Sequence, residues 1–349
     1  MNQWMALALE CGKKSIGISR PNPAVGAVVV KNGTVCATGQ TQSPGKAHAE
    51  VMALQTAAEN AKGADLYVTL EPCCHYGRTP PCTQAIIDAG IKRVFFAHSD
   101  PNPKVQGNSR KILEAAGIEV YEGLEACSQN KNLYSKIEHY FEGYDYFVKC
   151  GKPLIELKIA QTQDGFISQK NYNPLKITHD KANEWNHTLR SISDSILIGV
   201  STACKDNPRL DVRLVEGNSP LKIIFGQTRK LPSTLQLFSD QKTIIFSCVP
   251  QPEIESKAEI ILLPSKNFVE NWNFVIQHLA KMGMHRVMVE PGKNLFHLLI
   301  ENNLWNNLYL WKSSDFLKEG ISISPLNYTP SEIIPFNEDT LYIYRANSI

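Results

Sequence analysis

The sequence has no long apolar run, no excess of charge of either sign and no repeated or low-complexity segment. No stretch approaches the roughly 18 apolar residues that cross a bilayer, so we expect no membrane partner. Lys and Arg (36) nearly balance Asp and Glu (34), and the net charge of +2 gives no reason to expect a nucleic acid partner. The N-terminal segment carries its charges after its apolar stretch, the reverse of a secretory signal, so we expect a cytoplasmic protein.

The nine cysteines form an odd and irregularly spaced set, which does not suit a disulfide framework. We expect most of them to pack as small apolar side chains. Three of them, Cys73, Cys74 and Cys82, fall within ten residues of one another. Such a local group of sulfur atoms points to metal binding or to catalysis.

A chain of 349 residues is too long for one ordinary core, and we predict two domains, 1–145 and 146–349, with the tract 121–150 as the linker. Both parts alternate strand and helix patterns, which predicts layered α/β architecture. In the first part the expected strands are 24–30, 35–39, 66–70, 93–98 and 118–120, with helices starting at 48 and spanning 81–89 and 109–116. In the second part the expected strands are 155–159, 195–199, 221–225, 243–247, 260–263, 286–290, 308–312 and 341–344, with helices at 179–190, 267–281 and 294–302.

His48, Glu50, Cys73 and Cys82 carry most of the functional information. One imidazole and two thiolates form a three-ligand zinc site whose fourth position is left for water, the pattern of catalytic rather than structural zinc. Such a site activates water for hydrolysis. Glu50, two residues after the histidine, is placed to move a proton from the water to a leaving amine, as in zinc nucleobase deaminases. The sequence therefore predicts a zinc-dependent deaminase with Glu50 as its catalytic residue.

The spacing of the two cysteines leaves the ligand set open. Eight residues separate Cys73 from Cys82, whereas nucleobase deaminases have two at this place, so a loop must bring the thiols together. Cys74 and His75 are adjacent competitors for the metal. The alternative is a structural zinc site built from His48, Cys73, Cys74 and Cys82. Such a site would give Glu50 no role.

Four segments, 21–26, 48–51, 71–82 and 100–103, carry a family resemblance. With them the chain resembles the bifunctional deaminase–reductase family of riboflavin biosynthesis, and the loop PCCHYGRTPPC is the most specific part of the match. The resemblance continues through the second half and so covers nearly the whole chain. It implies an N-terminal cytidine-deaminase-like layered α/β domain and a C-terminal dihydrofolate-reductase-like α/β domain.

For the first domain, the resemblance implies hydrolytic deamination of a small-molecule substrate, 2,5-diamino-6-ribosylamino-4(3H)-pyrimidinone 5′-phosphate. His48, Cys73 and Cys82 would hold Zn²⁺, and Glu50 would move the protons. Asn22 matches a family position near the pyrimidine, where its amide can pair with a ring edge. Its Pro-Asn-Pro setting is equally a good turn, so both interpretations stay open.

For the second domain, the resemblance implies NADPH-dependent reduction of the ribosyl side chain, which gives 5-amino-6-(5-phosphoribitylamino)uracil. Four residues are assigned to the cofactor by this resemblance: Ala160, Thr202, Asp206 and Gly292. Four others are assigned to the substrate: Arg190, Leu210, Arg213 and Glu290. The two arginines suit its phosphate, because guanidinium groups bind phosphate through paired hydrogen bonds. We also expect a homo-oligomer, either a dimer or a tetramer.

Three places depart from the family pattern. Pro291 replaces the first glycine of a Glu-Gly-Gly turn and offers no amide to a cofactor phosphate, although Lys293 adds a positive charge. Lys176 replaces an aromatic residue, and Asn306 and Asn307 replace an acidic pair.

Because of these departures, a monofunctional deaminase with a degenerate reductase-like domain is one alternative. A deaminase of nucleosides or tRNA is the other, against which stand the balanced charge and the absent C-x-x-C helix start.

Overall fold

The computed structural model describes residues 2–170, 175–226, 230–239, 243–323 and 325–346. The chain forms two compact units, Met1–Lys152 and Pro153–Ile349. The helices of the first unit are α1 (Asn2–Lys13), α2 (Ala49–Ala57), α3 (Cys82–Asp88), α4 (Asn108–Ala115), α5 (Gly123–Ala126) and α6 (Lys131–Cys150). Its strands are β1 (Gly26–Lys31), β2 (Thr34–Gln40), β3 (Asp65–Leu70), β4 (Arg93–His98) and β5 (Glu119–Glu122).

The five strands of the first unit form one sheet in the order β2-β1-β3-β4-β5. Strand β1 runs antiparallel to β2 and β3, whereas β3, β4 and β5 are parallel to one another. The first five residues of β1 are all buried, as a continuous apolar run predicts for a strand covered on both faces. Because β3 and β4 are parallel, the segments that follow them start at the same edge of the sheet.

Two glycines let helices lie directly against the strands of this sheet. A Cβ atom at Gly26 would lie 1.9 Å from the carbonyl oxygen of Ala8 in α1. One at Gly39 would lie 2.1 Å from the carbonyl oxygen of Ala49 in α2. Both distances are far below the separation at which non-bonded atoms attract, so only glycine permits these approaches. The contact at Gly39 fixes where the first turn of α2 lies.

The prediction of a linker over 121–150 is wrong, because most of this tract is the long helix α6. Asn130 caps the helix by accepting the amide of Leu133 at 3.1 Å. The hydroxyl of Tyr140 donates to the carbonyl of Ala24 at 2.8 Å, so the helix belongs to the first unit. Its inward side carries buried residues at helical spacing: Leu133, Ile137, Tyr140 and Phe141.

His98, at the carboxyl end of β4, holds α6 against the sheet. Its side chain is 8% exposed and stacks on Phe141 with ring centroids 5.1 Å apart. Nδ1 lies 2.5 Å from Glu138 Oε1, and Nε2 lies 2.9 Å from Asp145 Oδ1. With a carboxylate on each side, both ring nitrogens donate, which requires the protonated imidazole. Burial opposes this charge, but the hydrogen bonds to Asp145 and Glu138 outweigh it and raise the pKa of His98 to about 9.

The second unit is built on a larger sheet. Its helices are α7 (Asp180–Ser191), α8 (Val200–Asp206), α9 (Phe268–Lys281) and α10 (Lys293–Glu301). Its strands are β6 (Leu154–Gln161), β7 (Phe166–Ser168), β8 (Ser195–Gly199), β9 (Leu221–Gly226), β10 (Thr243–Ser247), β11 (Ala258–Leu262), β12 (Arg286–Val289), β13 (Asn307–Ser313), β14 (Ile321–Ser322), β15 (Glu332–Phe336) and β16 (Asp339–Arg345).

Nine of these strands form one sheet in the order β11-β10-β9-β8-β12-β6-β13-β16-β15. The first seven in this order are parallel, and β16 and β15 join at one edge in antiparallel pairing. Strands β7 and β14 form a separate two-stranded ribbon. The main apolar core packs α9 and α10 on the sheet through residues such as Trp272, Leu279 and Phe296.

Glu156 is a fully buried carboxylate in β6, and neighbouring strands supply its hydrogen bonds. It accepts from Arg286 Nη1 at 2.7 Å, from Asn307 Nδ2 at 3.0 Å and from the hydroxyl of Tyr309 at 2.8 Å. Asn306 accepts a backbone amide of β6 at 2.8 Å. The two asparagines that replace an acidic pair therefore stabilise this part of the sheet.

Among the described residues, no helix combines the length and the apolar character needed to cross a membrane. All nine cysteines are free thiols.

Replacing His98 by glutamine should destabilise the first unit in a pH-dependent way. The pKa of His98 is raised from 6.5 to about 9 on folding, so its stabilisation is complete below the lower value and is lost as the pH rises through the upper one. We expect the free energy of unfolding of His98→Gln to fall below that of the wild type by about 2–3 kcal/mol near pH 6, and this gap to close near pH 10.

Denaturant unfolding across this pH range measures the gap. His297→Gln, which removes an exposed pair with Glu301, is the control and should show no such trend. A gap for His98→Gln that does not change with pH would contradict the assignment of a charged imidazole.

Candidate active sites

His48 and Glu50 lie at the N-terminus of α2. His48 is the N-cap residue, with an extended backbone (φ −74°, ψ 165°), and Glu50 lies in the first turn, where its side chain is buried. Since α2 rests on β2 at Gly39, this turn lies against the sheet. The contact between His48 and Cys73 places the turn at the edge where β3 ends.

Cys73 and Cys82 are joined by a loop that folds back on itself. Cys73 follows β3, and Cys82 is the first residue of α3 and is buried. The amide of Thr83 donates to the carbonyl of Cys73 at 3.1 Å, and the amide of Cys82 donates to Cys73 Sγ at 3.3 Å. These bonds bring the two thiols together although eight residues separate them in sequence.

Three donor atoms converge at this edge of the sheet. Nδ1 of His48 lies 3.5 Å from Cys73 Sγ and 3.3 Å from Cys82 Sγ, and all three atoms lie within 4.8 Å of one another. Zinc bonds of about 2.0 Å to nitrogen and 2.3 Å to sulfur, at tetrahedral angles, place such donors roughly 3.5 Å apart. The three side chains therefore fit a zinc ion that keeps one position open.

The hydrogen bond between the two thiols decides which of them ionises first. It stabilises the thiolate of Cys73, and together with His48 it lowers the pKa of Cys73 to about 4. The same contact raises the pKa of Cys82. Because a metal binds the thiolate form of cysteine, Cys73 is ionised for metal binding at a lower pH than Cys82.

Glu50 has the surroundings of a general acid–base group. Burial raises the pKa of Glu50 to about 7, and the negative charge of Cys73 adds to the rise. A carboxyl group that titrates near neutrality can both accept a proton and return it. The group lies beside the metal donors, where hydrolysis requires such transfers.

Three other candidates, Cys74 and His75 for the metal and Asn22 for the pyrimidine, do not belong to this donor group. Cys74 Sγ contacts the carbonyl of Lys104 at 3.5 Å and does not join the donor group found in the described part of the chain. Nδ1 of His75 is buried and has no hydrogen-bond partner among the described residues. Asn22 is half-buried in the turn after α1, and its backbone amide donates to the carbonyl of Ser19 at 2.9 Å.

Glu71 organises the wall of this site and was not singled out from the sequence. Its buried carboxylate accepts the hydroxyl of Ser109 at 2.6 Å and the amides of Gly107 at 3.2 Å and Asp100 at 3.3 Å. These bonds tie the loop after β4 to the strand end that leads to the zinc donors. The sequence indicates this role only by the position of Glu71, a charged residue between an apolar strand and the pair Pro72-Cys73.

The second unit has a cavity of about 790 Å³ at the carboxyl ends of its central parallel strands. Ligands of open parallel sheets bind in the crevice at this edge. Five of the residues assigned by resemblance line the cavity: Ala160, Thr202, Asp206, Gly292 and Glu290. The cavity therefore brings together the four positions expected to bind the cofactor and one position expected to bind the substrate.

The turn from β12 into α10 is shaped for a phosphate group. Gly292 is the N-cap residue of α10, and a Cβ atom there would lie 2.9 Å from Oγ1 of Thr202. The glycine thus leaves a cradle between Thr202 and the start of the helix, where backbone amides bind phosphate. This cradle fits the phosphate groups of NADPH, even though Pro291 contributes no amide.

Arg190 is bound to Glu290 in the cavity wall. Its Nη2 and Nε donate to Glu290 Oε1 at 2.6 Å and 3.1 Å. Burial opposes the charge of Glu290, but Arg190 and Lys158 outweigh it and lower the pKa of Glu290. Lys158 lines the same cavity and was missed, although a lysine within an apolar strand was a signal. Burial lowers the pKa of Lys158 against the opposing charge of Glu290.

Leu210 and Arg213 are not among the residues that line the cavity. Leu210 is buried, with a left-handed backbone (φ 55°), and Arg213 donates to the carboxylate of Asp211. Nη1 of Arg190 donates to the carbonyl of Asp211 at 3.3 Å. Arg190 therefore connects this segment to Glu290, which lines the cavity.

Together these sites define a zinc-dependent deaminase unit followed by a reductase unit with a dinucleotide cavity. Two family descriptions match the chain accordingly. The cytidine and deoxycytidylate deaminase zinc-binding region matches residues 1–98, and the RibD C-terminal domain matches residues 153–314. The predicted fold class, a cytidine-deaminase-like domain followed by a dihydrofolate-reductase-like domain, is confirmed.

Individual relatives match both units. The riboflavin biosynthesis protein RibD of Aquifex aeolicus (strain VF5) is 37% identical over 331 residues, which cover 93% of this chain and 89% of the relative. The diaminohydroxyphosphoribosylaminopyrimidine deaminase/5-amino-6-(5-phosphoribosylamino)uracil reductase of Thermotoga maritima matches with a TM-score of 0.77 at 31% identity, covering 99% and 98% of the two chains. Acinetobacter baumannii RibD matches with a TM-score of 0.75 at 28% identity, covering 99% of each chain.

The chain belongs to the RibD family of riboflavin biosynthesis proteins. It is a bifunctional enzyme with a deaminase and a reductase, and its cofactors are Zn²⁺ and NADPH. The prediction of two activities is confirmed, and the match over the second unit stands against the monofunctional alternative.

Zinc content tests the ligand set. We expect about one zinc ion per chain in the wild type and its loss in Cys82→Ala, because the remaining histidine and cysteine make an incomplete site. Cys74→Ala removes a neighbouring thiol outside the donor group and should keep the metal. Elemental analysis of the purified proteins, with circular dichroism to verify folding, measures this. Zinc retained in Cys82→Ala but lost in Cys74→Ala would move the assignment to Cys74.

Proposed function

We propose that residues 1–145 carry out the first reaction, hydrolytic deamination of 2,5-diamino-6-ribosylamino-4(3H)-pyrimidinone 5′-phosphate with release of ammonia. His48, Cys73 and Cys82 hold the zinc ion in this proposal. A bound zinc ion supplies an activated water for hydrolysis. The proposal rests on the convergence of these three donors beside the buried carboxyl group of Glu50.

Glu50 is the catalytic residue of this reaction. As a carboxylate it takes a proton from the attacking water, and as an acid it gives a proton to the leaving amine. A pKa raised to about 7 by burial supports both roles. Asn22, in the turn after α1, pairs with an edge of the pyrimidine through its side-chain amide.

Residues 146–349 carry out the second reaction, reduction of the ribosyl side chain to give 5-amino-6-(5-phosphoribitylamino)uracil. NADPH supplies a hydride when it is bound. The residues that bind it are Ala160, Thr202, Asp206 and Gly292. Their shared cavity and the cradle at the start of α10 support this assignment.

The substrate of the reductase is bound by Arg190, Leu210, Arg213 and Glu290. Glu290 lines the cavity, and Arg190 fixes its orientation through two hydrogen bonds to one oxygen. Reduction by hydride also consumes a proton. Lys158 lines the cavity with a lowered pKa, which suits it to supply that proton.

We place the enzyme in the cytoplasm, with small molecules as its partners. Nine free thiols are typical of a reducing compartment, and the near-zero net charge does not favour nucleic acid binding. A homo-oligomer, dimer or tetramer, remains the expectation from the family, and sedimentation of the purified enzyme tests it.

Separate assays of the two half-reactions test the proposal. Ammonia release from the diaminopyrimidine reports the deaminase, and NADPH oxidation with the deaminated product reports the reductase. We expect NADPH oxidation only when the deaminated product is present. A protein that releases ammonia but never oxidises NADPH would limit the proposal to its first half.

Glu50→Gln should keep the zinc ion and the fold but lose nearly all deamination. General acid–base catalysis contributes about 10²–10⁴ in rate, and here one group serves both proton transfers. Glu59→Gln, an exposed glutamate in the turn after α2, is the matched control and should be fully active. Near-normal ammonia release by zinc-loaded Glu50→Gln would refute the role, whereas reduction of supplied deaminated product should be unchanged.

Opposite changes in the turn before α10 should shift NADPH affinity in opposite directions. Pro291→Gly adds a backbone amide, and a hydrogen bond to a charged group is worth about 1.5–3 kcal/mol, so binding should tighten by about tenfold or more. Gly292→Ala places a Cβ atom against Thr202 and should weaken binding. Equilibrium titration of cofactor fluorescence measures both. Equal NADPH affinity in the wild type and both variants would show that this turn does not bind the cofactor.

A further inference from the structure

Arg209 lies in a cluster of charges near Arg190, and no role was predicted for it from the sequence. It donates from Nη2 to Asp211 Oδ2 at 2.8 Å, and Arg213 donates to Oδ1 of the same carboxylate. The side chain of Asp211 is 8% exposed, whereas those of Arg209 and Arg213 are 58% and 51% exposed. One buried carboxylate thus holds two guanidinium groups that remain open to solvent.

The backbone of this segment is fixed on both sides of Asp211. Leu210 is buried with φ 55°, a conformation that a leucine keeps only where its surroundings impose it. The amide of Val212 donates to Ser219 Oγ at 2.9 Å, and the amide of Arg213 donates to His187 Nδ1 at 3.2 Å. The backbone that carries the two arginines is therefore held in place by these contacts.

The cluster is connected to the wall of the cavity and carries net positive charge. Arg190 links the two, because it donates both to the carbonyl of Asp211 and to Glu290, which lines the cavity. Three guanidinium groups, those of Arg190, Arg209 and Arg213, face the two carboxylates of Asp211 and Glu290, which leaves one positive charge. A phosphate dianion accepts paired hydrogen bonds from such groups.

We propose that Arg209 recognises the 5′-phosphate of the reductase substrate together with Arg213, and that Asp211 orients both arginines. This inference rests on the proposed assignment of Arg190 and Arg213 to the substrate. It makes Arg209 a specificity-determining residue that selects the phosphorylated intermediate over its dephosphorylated form. Asp211 is a positioning residue in this arrangement, because it acts on the phosphate only through the arginines.

Steady-state reduction of two substrates tests the proposal. The deaminated intermediate is supplied either intact or after enzymatic removal of its 5′-phosphate, and NADPH oxidation gives kcat and KM for each. In Arg209→Ala we expect KM for the intact intermediate to rise by about tenfold to hundredfold, the range for a lost hydrogen bond to a charged group. The kcat value, the KM for the dephosphorylated compound and the Kd for NADPH should stay within about twofold.

The matched control is Lys257→Ala, which removes an exposed cation that contacts the carbonyl of Ser233 and does not line the cavity. It should leave both KM values unchanged. Arg209→Gln, uncharged and similar in length, decides the question if the alanine variant does not fold. The wild-type ratio of the two KM values in a folded Arg209 variant, or an equal rise of both, overturns the proposal.

Arg213→Ala separates this inference from the assignment on which it rests. If Arg213→Ala leaves the preference for the phosphorylated intermediate intact, the proposed role of Arg213 fails. The proposal for Arg209 stands or falls on its own ratio of KM values.

Discussion

The deaminase site depends on how closely helix α2 approaches strand β2 at Gly39, where a side chain would overlap the helix backbone. This approach seats the first turn of α2, and with it His48 and Glu50, against the sheet. The folded loop between Cys73 and Cys82 then completes the donor group. The packing of α2 and of this loop brings the donors within zinc-binding distance. Burial in the same place raises the pKa of Glu50 into the range needed for proton transfer.

The reductase cavity follows from the parallel strands of the second unit. Strands β6, β8 and β12 end at one edge, so residues distant in sequence, such as Ala160, Thr202 and Gly292, line one space. Each of two carboxylates near it faces two cations: Glu290 faces Arg190 and Lys158, and Asp211 faces Arg209 and Arg213. Arg190 neutralises Glu290 and also contacts the backbone at Asp211. The guanidinium group of Arg190 is largely buried and hydrogen-bonds to other groups of the protein. Those of Arg209 and Arg213 are more exposed to solvent.

Much of this could be predicted from the sequence, because residue types at characteristic spacing reflect local chemistry. The donor group and Glu50 follow from such a pattern, and most strands follow from apolar runs. Helix α6 was missed because its aromatic and charged residues hide the spacing of Leu133, Ile137 and Phe141. The bonds of Glu71 and the pairing of Arg190 with Glu290 join residues far apart in the chain, so only the folded structure brings them together.

X-ray absorption spectroscopy at the zinc edge of the full-length enzyme tests the central claim most directly. Zinc–sulfur and zinc–nitrogen bonds differ in length, about 2.3 Å against 2.0–2.1 Å, so the spectrum counts each kind of ligand. With His48, Cys73 and Cys82 as ligands, the account predicts two sulfur atoms and two lighter atoms per zinc ion, one of them from water. A zinc ion with three sulfur ligands would place Cys74 in the site and contradict the account.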